Sequence, residues 1–313
     1  MTYGTGNVAL ASDYMTFRGA NDTNTAYPSD SAASAAIAAM VGVGYGSRGY
    51  GQIGLSIPAA QIGKKILASD WDKLYVAIGN VNVHTGSLLG LGPTPTLGNL
   101  IAADSSPSLP AILADLDGNR LNAASTEMTT ALAGISGKTG GWSGADIYHG
   151  FTVSFPSEDQ ARFFFNSGGQ IELTALRTGS PSYPLDSAIT AMLSQMGTIR
   201  FGATGTTQTG TGGTTYSLGF YNLTGTYQPI FSTVGVGTFS YLTYTVSAST
   251  SGALHENGGN GDAISFKADF SLSGNVVATS TGTIQSNVYT YTSTGVVSVS
   301  PPAYTRTNSL GSY

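Results

Sequence analysis

The chain has 313 residues, of which only 9% are charged, and a formal net charge of −5. Its largest basic cluster is the pair Lys64-Lys65, which excludes a nucleic-acid partner, and no apolar run approaches the roughly 20 residues of a membrane span. The absence of cysteine excludes disulfides and thiolate metal sites.

Low charge does not mean disorder in this chain. Hydrophobic residues make up 41%, with 17 tyrosines and 43 glycines. The polar burden falls on hydroxyls and amides. That suits β-structure with glycine-rich turns, and surfaces that pack against neighbours. The first residues lack a basic segment followed by a long apolar one, so no signal peptide is expected.

Residues 1–60 are rich in Gly, Ala and Ser and read as an N-terminal arm. The segment LASDY at 10–14 echoes LASDW at 67–71; in both, Ser (Ser12, Ser69) is expected to cap a helix with Asp in its first turn, which reflects either a duplicated element or shared capping chemistry. Alanine-rich residues 31–40 suit a short helix. Residues 42–54, GVGYGSRGYGQIG, alternate glycine with tyrosine and lack a phosphate-loop lysine. They read as an extended arm whose Tyr45 and Tyr50 grip a neighbouring subunit, or as a surface loop.

Residues 61–145 read as a small helical region. Trp71, Leu74, Tyr75 and Ile78 share one face of a helix over 69–79, with Asp72 at its third position and Gly79 as a stop. Ile112, Leu113 and Leu116 mark a second helix, and a third is expected over 125–133.

Residues 146–313 read as a β-rich domain with inserted helices near 157–166 and 185–196. A strand at 152–155 ends at Pro156. Ser157 and Gln160 then form a capping box, and Gly168-Gly169 stops the helix before a second extended run at 170–176. Phe163, Phe164 and Phe165 cannot share one helical face. At least one is expected to leave the local sheet, for another part of the chain or another subunit. Leu185, Ile189, Met192, Leu193 and Met196 form a core stripe stopped by Gly197.

From 198 onward short strands are expected at 199–203, 215–221, 239–247, 264–272, 276–281, 283–292 and 296–299, with an extended tail. Residues 264–272 alternate without a break. Ile264, Phe266, Ala268, Phe270 and Leu272 face one way; Ser265, Lys267, Asp269 and Ser271 face the other. The fold class is therefore α+β: a small helical N-terminal layer, then a predominantly antiparallel, sandwich-like β domain.

Candidate chemistry is sparse. Asp115, Asp117 and Asn119 imitate a calcium loop, but Arg120 stands where glycine is needed and Thr126 where a bidentate Glu is needed. His84, His149 and His255 are too scattered for zinc. Glu158-Asp159 at a helix start complement its dipole rather than forming an acid–base pair. No nucleophile motif occurs. The expected chain is not an enzyme and has no cofactor, metal or catalytic residue.

The run ARFFFN into GGQI at 161–171, after a TVSF strand, resembles virion structural proteins of tailed bacteriophages, which carry such an FFN-x-GG unit. A helical segment with Asp70-Trp71 and Asn119-Arg120 ahead of it extends the resemblance over about 65–177. The resemblance implies a structural subunit of the tail, neck or a fibre, made in the host cytoplasm and resident in the virion. Its partners would be copies of itself and other virion proteins. The alternatives are a receptor- or glycan-binding adhesin using the loop at 253–262, or a capsid decoration protein. The candidate assembly residues are Tyr45, Tyr50, Phe163, Phe164 and Phe165.

Overall fold

The computed structural model of the chain describes residues 14, 15, 18, 37–52, 57–58, 66–87, 89–90, 109–142, 146–252, 254–273, 279–308 and 310. The expectations for 10–13, 31–36 and 274–278, and the Lys64-Lys65 pair, lie outside these residues. Among the described residues, five helices run through Ile37–Val41 (α1), Ala68–Thr85 (α2), Leu109–Asn119 (α3), Glu158–Asn166 (α4) and Pro184–Met196 (α5). Among the described residues, no helix is long and apolar enough to cross a membrane.

Among the described residues, eleven strands build two antiparallel sheets. They are β1 (Met128–Thr139), β2 (Ile147–Ser154), β3 (Gln170–Thr178), β4 (Ile199–Phe201), β5 (Thr206–Gln208), β6 (Thr214–Thr215), β7 (Gln228–Val234), β8 (Leu242–Thr250), β9 (Ala263–Leu272), β10 (Thr283–Ser293) and β11 (Ala303–Arg306). The first sheet has the order β1-β10-β3-β4-β5. The second has the order β11-β2-β9-β8-β7-β6. The sheets share one apolar core, where Phe201 of the first meets Phe266 of the second edge-on at 5.2 Å. The fold is thus α+β with a sandwich-like β region. On β9 every second residue from Ile264 to Leu272 is buried, as the alternation requires.

The strand–helix–strand unit crosses between the layers. β2 lies in the second sheet and β3 in the first, so α4 closes one end of the sandwich. Ser157 caps α4 by accepting from the Gln160 N–H at 3.2 Å, and Gly168 follows at φ +79°. Phe164 and Phe165 enter the shared core with no exposed surface. Phe165 stacks on Phe220 at 4.7 Å and meets Phe201 edge-on. Burying each such ring is worth about 2–3 kcal/mol.

A second core joins α2 and α3 to α1, Tyr14, Tyr50 and Val297. It buries Trp71, Leu74, Tyr75 and Ile78 together with Ile112, Leu113 and Leu116. Residues 115–120 form the end of α3 and its turn, where Asn119 bonds the Asp115 carbonyl.

Several expectations are corrected. Helix α2 is not capped by Ser69: the Leu67 N–H bonds the Asp70 carboxylate at 2.9 Å. It also runs through Gly79, because Val81 and His84 add another buried turn, and stops at Gly86 with φ +68°. The helix expected over 125–133 is only a 3-10 turn at Ser125–Glu127, followed by β1. Pairing along the whole of β10 outweighs its weak helical spacing. Residues 216–221 are not strand: they bend through a 3-10 turn at Phe220–Asn222 that delivers Phe220 to the core. Residues 296–299 make only a bridge between Thr294 and Ser298, which turns Val297 into the helical core. The tail contributes β11, paired with β2.

Candidate functional site

A dense polar cluster surrounds residues 42–51. Gly44, Gly46, Gly49 and Gly51 all have positive φ, so this segment is coiled tightly rather than extended. It lies on α4. The Arg162 guanidinium, with no exposed surface, donates from Nη2 to the Val43 and Arg48 carbonyls, both at 3.0 Å. Its Nε donates to the Gly46 carbonyl at 3.3 Å, and its Nη1 pairs with Asp159. One helical turn on, Asn166 donates to the carbonyls of Gly46 and Gly49 at 3.0 and 3.1 Å. The Tyr221 hydroxyl stands 2.6 Å from the Gly46 carbonyl and 2.8 Å from Asn166 Oδ1.

The loop is held from two other sides as well. The Gly46 N–H donates to the Asn257 carbonyl at 2.9 Å, and Asn257 Nδ2 donates to Asp159 at 2.8 Å. From the helical layer, Arg120 bonds the Ser47 hydroxyl and carbonyl at 3.0 and 3.2 Å. Arg48 pairs with Asp117 at 3.3 Å, and Tyr50 donates to the Arg120 carbonyl at 2.7 Å. The glycine-tyrosine loop therefore ties the helical core to the sandwich. Burial pushes the phenols of Tyr50 and Tyr221 far above their ordinary range, against the pull of Arg120 and Arg162 respectively.

A second polar knot lies at the start of α5. Asp186 is fully buried and accepts from the N–H groups of Ser182, Tyr183 and Thr281 at 2.7–3.0 Å. It also accepts from the hydroxyls of Ser280 and Thr281 and pairs with Arg177 at 3.0 Å. Burial alone raises its carboxyl, but these hydrogen bonds outweigh it and hold the group well below the usual carboxylate range.

Neither cluster is built for chemistry. The donors of Arg162 and Asn166 aim at backbone carbonyls of their own chain, and Asp186 is enclosed. Among the described residues, no three His, Asp or Glu side chains converge as metal ligands. The candidate assembly residues are corrected accordingly. Tyr50, Phe163, Phe164 and Phe165 are 0–5% exposed, enclosed by their own chain and closed to a neighbour in this fold. Tyr45 is half-buried beside Gly258. Of the loop considered for glycan contact, residues 257–261 are buried. Asn257 and Asn260 bond the chain's own groups, and His255 pairs with Glu158 at 3.0 Å.

Sequence reasoning passed over Arg162 and Asn166, although the signal was present. Asp159, Arg162 and Asn166 stand at i, i+3 and i+7, a polar stripe on the helix that carries the three phenylalanines. The Asp186 knot had a weaker signal, an Asp three residues after Tyr183 at a helix start. No protein-family model, no curated protein and no solved structure matches this chain.

Proposed function

We propose that the chain is a structural subunit of a tailed-phage virion, a tail, neck or fibre component that acts by packing against copies of itself and companion proteins. The phage assignment rests on the resemblance of the FFN-x-GG unit. The assembly mechanism rests on one observation: the outer face of the second sheet is coated with hydroxyls and carries few ions. On the second sheet this face presents Thr152, Ser265, Ser271, Thr243, Thr245 and Ser247, with Lys267 and Asp269 paired to each other at 3.0 Å. The arginines 48, 120, 162, 177 and 200 are likewise paired inside the chain. Such faces can be buried between subunits without stranding a charge.

Electron microscopy and sedimentation of the purified full chain test this reading. Ordered multicopy particles are expected, and their formation should change little with salt, because few exposed charges take part. A solitary monomer that turns over a substrate would overturn it.

A further inference from the structure

Among the described residues, three of the four sheet edges are short. β5 has three residues, β6 two and β11 four. The fourth edge is β1, whose twelve residues make it the longest strand. Among the described residues it is hydrogen-bonded to β10 and to no other strand. Edge strands are ordinarily blunted by shortness, proline or charge. β1 reads MTTALAGISGKT, with no proline and one charge, Lys138.

Its apolar residues are presented, not hidden. Leu132 is 52% exposed and Ile135 48%. The register against β10 steps between Leu132 and Gly134, so Leu132 stands beside Tyr289 and Ile135 beside Asn287. Tyr289 and Asn287 flank Val288, which points into the core. The bulge therefore puts Leu132 and Ile135, three residues apart, on the same outer face.

We propose that β1 pairs antiparallel with β1 of a second copy across a two-fold axis, joining two first sheets into one continuous sheet. This names the contact surface for the assembly proposed above and rests on that reading. A pairing centred between Ala133 and Gly134 sets Leu132 of each copy opposite Ile135 of the other, which closes an apolar cluster on one face. It also sets Lys138 opposite Thr129 of the second copy, so the two lysines lie at opposite ends. A parallel pairing would put them side by side. The strand is thus self-complementary in shape and charge in the antiparallel sense alone.

Sedimentation equilibrium of the full chain is the test, alongside a Leu132→Lys/Ile135→Lys variant. The wild type is expected at twice the 31.9 kDa chain mass or a multiple of it. The variant, which sets lysine against lysine, should lose this contact while keeping its circular dichroism and melting temperature. Because the chain has no cysteine, a Thr130→Cys/Gly137→Cys variant reads the register: these positions face each other between copies and should form a cross-linked dimer on oxidation. Within one strand they lie ~23 Å apart and cannot bond. A wild type that stays monomeric to ~1 mM overturns the proposal and leaves the edge to a strand of another protein. An oligomer unchanged by the lysine variant overturns this edge but leaves the assembly reading standing. A discrete dimer that the variant abolishes, with no larger particle, supports this edge and counts against the multicopy reading.

Discussion

The Phe163 ring lies directly on Gly51, where any β-carbon would overlap its Cδ2, Cε2 and Cγ atoms. Gly51 also holds φ at +68°, a region costly for other residues. Both constraints fall on the loop that joins the two cores. Gly51→Ala is therefore expected to destabilise the chain by about 2–4 kcal/mol. A lowered urea midpoint with unchanged slope would show it; an unchanged midpoint would refute the close packing.

Arg162 makes a sharper prediction, because its charge is fully buried and each of its bonds ends on this chain. Arg162→Ala would leave the Val43 and Arg48 carbonyls without these donors and take one of its partners from Asp159, which keeps Asn257. Each carbonyl left unsatisfied costs about 1–3 kcal/mol. Arg162→Lys should recover little, since one ammonium cannot span the positions of a planar guanidinium. Limited proteolysis is expected to cut within 42–51 in both variants before the sandwich is touched, and protection equal to wild type would refute the clasp.

The amount legible in the sequence follows how local each interaction is. β9 was legible because its alternation is a one-strand property, and α4 because Ser157, Gln160 and Gly168 mark both its ends. The stripe of α5 was legible for the same reason. β1 was not: its strand state depends on β10, more than 140 residues later in the chain. The clasp was hidden likewise, since Arg162 meets carbonyls more than 110 residues earlier and nothing in local spacing names them. The phenylalanine run was legible as far as one ring leaving the helix's own layer; of the two destinations left open, another part of the chain or another subunit, it takes the first, on Gly51.

Asp186 links acid stability to one carboxylate. Its folded pKa is depressed, so its contribution is fully present above the unfolded carboxylate value near 4 and is lost as pH falls through the folded value. Asp186→Asn keeps the shape but removes the charge beside Arg177, at a cost of about 3–5 kcal/mol at pH 7. The variant should also be less sensitive to pH below ~4 than the wild type. Denaturant titrations at pH 7 and pH 3 check both, and equal losses at the two pH values would refute the assignment.

The two buried histidines act at milder acidity. His84, beside Tyr50 at 5.1 Å, and His149, bonded to Tyr304 at 2.9 Å, have no exposed surface. Burial pulls both down from 6.5 to about 4; Glu127 and the Ser167 backbone oppose this at His84, while Arg306 adds to it at His149. Between these values the unfolded chain binds protons that the folded chain refuses. The stabilisation is therefore complete above pH 6.5 and declines as pH falls toward 4, by about 3 kcal/mol for each ring at most. Unfolding free energies measured from pH 7.5 to 4 should fall along this window. His149→Phe should remove about half of the fall, because one of the two groups no longer titrates, even though the Tyr304 bond is lost at every pH. A profile as steep as wild type would show that His149 takes up its proton without unfolding. The β2–β11 seam it sits on would then not be the acid-sensitive part of the fold.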